Sequence, residues 1–73
     1  MATTQITADV IGSVWRIEKS EGDKLAEGDL IMTLESMKME IPVEAPVAGT
    51  LAKIMVKPEE SVEEGQVLCQ IES

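Results

Sequence analysis

The sequence contains no histidine, tyrosine or phenylalanine, and only one cysteine, Cys69. Without histidine and with a single thiol, the chain cannot form an internal disulfide, a zinc site of the usual His/Cys set, or a Ser/His/Asp or Cys/His catalytic set. Three routes to enzyme activity close on composition alone. Trp15 is the only aromatic residue, so the core must be built from Ile, Leu, Val, Met and Ala. Basic residues are also scarce, six against fourteen acidic ones, for a formal charge of −8. Such a surface repels phosphate backbones and anionic lipid, which argues against nucleic acid and membrane as partners. No apolar run is long enough to span a bilayer, and no charged segment followed by an apolar stretch marks the N-terminus for export. These patterns predict a soluble cytoplasmic protein, or an organellar matrix one if the chain is cut from a larger eukaryotic enzyme.

At 73 residues and 7.9 kDa the chain predicts one domain, residues 1–73, too small for a deep catalytic cleft. The acidic pairs Glu59, Glu60 and Glu63, Glu64 read as a solvated turn region rather than as catalytic carboxylates.

What the chain does contain is a repeat. An ungapped offset of 37 lays Ala45 on Ala8, Val47 on Val10, Gly49 on Gly12, Ile54 on Ile17, Gly65 on Gly28, and Glu72-Ser73 on Glu35-Ser36. Residues 6–36 and 43–73 are two copies of one unit. Within each copy the apolar residues alternate: Leu30, Met32 and Leu34 in the first, Val67, Cys69 and Ile71 in the second. That period of two marks half-buried strands, with Ile31, Thr33, Glu35 and Leu68, Gln70, Glu72 on the other side. Earlier in each copy a strand carries Trp15 and Ile17, or Ala52, Ile54 and Val56. Turn-rich stretches follow, then an isolated apolar residue, Leu25 or Val62, before Gly28-Asp29 or Gly65-Gln66. The pattern predicts four strands per copy, one very short, and an all-β flattened barrel or sandwich with approximate two-fold symmetry. The glycines are turn formers, Met32 and Met55 are assigned to packing, and Cys69 to a buried position.

Between the two copies lie only Met37 to Pro42. A two-residue loop at Met37-Lys38 pairs Ser36 with Met39, Glu35 with Glu40, Leu34 with Ile41, Met32 with Val43 and Leu30 with Ala45. This register places the apolar partners together on the core side, with Met39 facing Ser36 on that side too. Met-Lys is a poor sequence for such a loop, whose backbone needs positive φ. Glu35 opposite Glu40 adds a like-charge pair costing a few tenths of a kcal/mol. Local rules broken in an otherwise consistent design point to function. A loop tip is wet and does not desolvate an amine, which argues against Lys38 as a catalytic base and for Lys38 as a group modified by another protein.

The string Glu35-Ser36-Met37-Lys38-Met39-Glu40 resembles the attachment motif of biotinyl domains, the biotin carboxyl carrier members of the biotin/lipoyl attachment family. Gly12, Gly28, Gly49 and Gly65, the segment Ala45-Pro46-Val47-Ala48-Gly49-Thr50 and the closing strand Val67 to Glu72 fit the same pattern. The resemblance implies a flattened barrel of two four-stranded antiparallel sheets, with the hairpin at one end and both termini at the other. It also implies covalent biotin on Lys38, added by a biotin protein ligase, flanking methionines at Met37 and Met39, and ligase-reading positions at Glu35, Ser36 and Glu40. The expected function is a non-catalytic carrier that moves a carboxyl group from biotin carboxylase to a carboxyltransferase. Ser36 replaces the common Ala, Ala8-Asp9 replaces a frequent proline, and the short connection from Glu18 to Asp23 implies a member without the protruding thumb. Lipoyl domains share the glycine spacing but carry Asp-Lys-Ala at the tip, so a lipoate carrier, or a protein taking either cofactor, is the second reading. An unmodified β adaptor module, with Lys38 as a surface charge, is the third.

Overall fold

The computed structural model describes residues 2–73, and all regular structure in them is β. The strands are β1 (Thr3–Thr7), β2 (Gly12–Ile17), β3 (Lys24–Leu25), β4 (Leu30–Ser36), β5 (Met39–Glu44), β6 (Gly49–Ile54), β7 (Ser61–Val62) and β8 (Val67–Glu72). They form two four-stranded antiparallel sheets, ordered β1-β8-β6-β3 and β5-β4-β2-β7. Each sheet takes two strands from each half of the chain, β1 and β3 with β6 and β8 in one and β2 and β4 with β5 and β7 in the other, so neither half buries its apolar side without the other.

The duplication is legible bond by bond. Gly28 N–H donates to Ala45 O and Gly65 N–H to Ala8 O, both at 2.8 Å. Val14 N–H to Glu60 O is matched by Leu51 N–H to Asp23 O, again both at 2.8 Å. The bulge between Val14 and Arg16 recurs between Leu51 and Lys53. At the end away from the β4–β5 hairpin, Ala2 and Ser73 exchange two backbone hydrogen bonds of 2.9 Å, in the place that Met39 and Ser36 occupy at the hairpin.

The core between the sheets holds Val14, Leu25, Ile31, Met32, Leu34, Ala45, Leu51, Val62, Leu68, Cys69 and Ile71, all aliphatic or sulfur-bearing as the composition requires. Burial pushes the Cys69 thiol up to about 11, the behaviour of a small apolar residue.

Several assignments made from the sequence are corrected. A bulge between Leu30 and Met32 pairs Leu30 with Glu44 rather than Ala45 and turns Leu30 outward. In consequence Ile31 and Met32, neighbours in sequence, are both fully buried, and Thr33 is buried as well. The matching irregularity in β8 buries Leu68 beside Cys69, where a strict period of two sends Leu68 to solvent. Met55 lies just beyond β6 and is half exposed instead of packed, while Val56 is buried after the strand has ended. Met39 does not face the core and is exposed.

Candidate functional site

The hairpin register runs as the sequence predicts from Ser36↔Met39 through Glu35↔Glu40 and Leu34↔Ile41 to Met32↔Val43. The loop is therefore two residues, Met37 and Lys38, and both adopt positive φ, 52° and 66°. That is the handedness of a type I′ turn, whose twist matches the flanking strands and which Asn-Gly fills without strain. A methionine and a lysine hold it here at a local cost, since L side chains disfavour this region.

The side chains at the turn are withdrawn from the protein. Met37 is 91% exposed and Met39 62%, whereas Met32 on the same hairpin is fully buried. Lys38 is exposed between them and Glu40 is exposed one residue on. Of the six motif residues, only Ser36 turns back toward the body: its hydroxyl donates to the Ile11 carbonyl at 2.7 Å. Gly12 follows at once, and its bare Cα lets β2 lie against the Glu35 carbonyl. These contacts clamp the root of the hairpin while its tip projects.

The tip can present a primary amine to another macromolecule; it cannot shape a substrate cleft. Among the described residues no three His, Cys, Asp or Glu side chains gather as they would around a metal ion.

The structure also gathers residues that sequence reasoning did not assign to the site. Met37 overhangs a recess whose walls are Asp9, Val10, Ile11, Ser36 and Glu64. A second recess beside Glu35 is lined by Ser13, Val14, Trp15 and Glu59. Glu59 adopts a φ of 69° where its repeat counterpart is Gly22, at 94°. That a glutamate stands where the other copy has glycine was the available signal.

Residues 1–71 match the model of a protein family described as biotin-requiring enzyme, Biotin_lipoyl. A Mycobacterium leprae protein, described as a biotinylated protein TB7.3 homolog, is 41% identical over 66 residues, which are 90% of this chain and 93% of that one. In Saccharomyces cerevisiae, the dihydrolipoyllysine-residue succinyltransferase component of the mitochondrial 2-oxoglutarate dehydrogenase complex is 41% identical over 61 residues. Those residues are 84% of this chain but only 13% of the yeast protein. The crystal structure of Kluyveromyces lactis urea carboxylase superposes with a TM-score of 0.92 at 28% identity, covering 99% of this chain and 6% of that one.

Proposed function

The chain belongs to the biotin-requiring enzyme family, Biotin_lipoyl, and from that membership we propose that it is a biotin carboxyl carrier with biotin in amide linkage on the Lys38 Nζ. Domains of this family carry a cofactor for larger enzymes and are not themselves catalytic. The observation that carries the finer reading is the exposed Met37-Lys38-Met39 triplet on a type I′ turn that this sequence does not suit.

In this reading a biotin protein ligase activates the biotin carboxyl group as a mixed anhydride with a nucleotide, and the Lys38 amine displaces the nucleotide phosphate to form the amide, losing its proton. The amide removes the ammonium charge and takes the chain from −8 to −9. Bound on Lys38, biotin would supply the chemistry, a ureido nitrogen able to carry a carboxyl group between a biotin carboxylase and a carboxyltransferase. The protein contributes tethering, which replaces free diffusion of a cofactor by a high local concentration at both partner sites. Met37 and Met39 flank the amine as apolar contacts, and Glu35, Ser36 and Glu40 form the strand ends that the ligase grips. The whole chain acts as one carrier domain.

Lipoate is the second reading, supported by the yeast relative. The two separate on intact mass after co-expression with a biotin protein ligase or with a lipoate ligase. Biotin on Lys38, located by peptide mapping and abolished in Lys38→Arg, is the expected result. Lipoate without biotin gives the second reading, and an unmodified Lys38 in both cultures overturns both.

A further inference from the structure

The two copies of the repeat provide an internal comparison: a feature needed only for folding should recur in both, and one needed at the hairpin end should not. The recess beside β2 fails to recur. Its lining of Ser13, Val14, Trp15, Glu35 and Glu59 maps onto Thr50, Leu51, Ala52, Glu72 and Gly22 in the other copy. The backbone frame is kept, since Glu59 N–H donates to Val14 O and Gly22 N–H to Leu51 O, both at 2.7 Å. What changes is the chemistry: an indole replaces a methyl group and a carboxylate replaces a hydrogen atom.

Neither change serves the fold. Trp15, the only aromatic residue, is 45% exposed and lies outside the buried core. Glu59 holds a backbone conformation that glycine adopts freely and L residues resist. Exposed tryptophans on folded proteins are enriched among the residues that dominate protein–protein binding. The recess is open to solvent and has a volume of about 520 Å³, more than enough to admit one large side chain. Two of its walls are carboxylates and a third is an indole ring. A guanidinium suits all three, because its planar fork donates to carboxylates and its face stacks on aromatic rings. The indole already shows that affinity, with the Arg16 guanidinium 4.9 Å from its centroid.

The recess adjoins the modification site. Glu35 stands two residues before the turn and pairs with Ser13 on one side and Glu40 on the other. An enzyme that takes Lys38 into its active site must cover these rows. We infer that the recess formed by Trp15, Glu35 and Glu59 receives an arginine side chain from the biotin protein ligase and so orients the hairpin for modification. The inference rests on the biotin reading of Lys38 and adds to it a recognition surface contributed by a different part of the chain.

The test measures ligase kinetics with the full-length chain as substrate. Trp15→Ala and Glu59→Gly should each raise the KM for the chain about tenfold and leave kcat unchanged. Glu59→Gly reproduces the residue of the other copy and should melt no lower than the parent, which separates recognition from stability. Glu59→Gln should act like Glu59→Gly, and each should flatten the rise of KM with salt. Glu72→Gln, the mirrored carboxylate, should leave KM unchanged. Unaltered KM in Trp15→Ala and Glu59→Gly while the parent chain is labelled overturns the inference alone, as does an equal rise in Glu72→Gln. A parent chain that takes no biotin overturns the biotin reading and the inference together.

Discussion

Ser36 and Ile11 join the hairpin to the body of the protein: the serine hydroxyl donates to the isoleucine carbonyl across 25 positions of sequence, at 2.7 Å. The bond fixes the strand end from which Met37 and Lys38 depart. Ser36→Ala should cost about 1 kcal/mol, an ordinary side-chain hydrogen bond, and so change the melting temperature by only a few degrees. Its larger effect should be local. Hydrogen exchange at the Met39 amide, opposite Ser36, should accelerate while exchange at Leu51 and Ile71 stays as slow as in the parent. Uniform acceleration would mean that the bond supports the whole barrel.

The turn itself should be improvable at the expense of its use. Replacing Met37-Lys38 by Asn-Gly puts at positive φ an asparagine, which tolerates that region, and a glycine, which adopts it freely, a gain on the order of 1–2 kcal/mol. Thermal melting should rise by roughly 5–10 °C, and no modification should be detectable in the hairpin peptide. An unchanged or lower melting temperature would show that Met37 and Lys38 are not strained there.

Gly12→Ala should be among the most damaging single-methyl changes in the chain. The added carbon would sit on the Glu35 carbonyl oxygen, and β2 would have to leave β4 at the hairpin root. A loss of about 3 kcal/mol is expected, with a drop in melting temperature of roughly 12–24 °C. Gly49→Ala, whose new carbon would lie 2.5 Å from the Glu72 carbonyl oxygen, should behave alike at the other end. Circular-dichroism melts of the pair would check both.

Alkaline stability should depend on Cys69. Its folded pKa of about 11 exceeds the 9.0 of a free thiol, so the unfolded chain loses its proton first as pH rises. The contribution is intact below pH 9, declines between 9 and 11 and levels off above, at a total on the order of 2–3 kcal/mol. Cys69→Ala should be less stable at neutral pH from the lost packing but should show a shallower decline across that window in urea titrations at successive pH values.

The hairpin register was legible because a slip by one residue would have turned Leu34, Ile41, Met32 and Val43 to solvent. The legibility stopped at Leu30, where a bulge inserts a residue and a period of two no longer applies. The adjacent apolar pairs Ile31-Met32 and Leu68-Cys69, at the same place in both copies, were the mark of that bulge. The direction of Trp15 was not legible for a related reason: it sits in the irregularity between Val14 and Arg16, so its side does not follow from strand alternation. Glu59 read as a solvated turn residue because sequence alone does not show that Glu59 N–H binds Val14 O and brings the turn beside Trp15. Residues contiguous in the motif were readable from the chain, and residues assembled from distant segments were not.

The mutual hydrogen bonds of Ala2 and Ser73 bring the described residues 2–73 nearly into a ring, meeting at the corner equivalent to the one that Met37-Lys38 turns. A two-residue linker from Ser73 to Ala2 would complete the circle, and fresh ends could then be cut at the other corner to give a circular permutant of the same barrel. If that linker were itself Met-Lys, the closed form would offer an amine at each pole of a body 36 Å in its longest dimension.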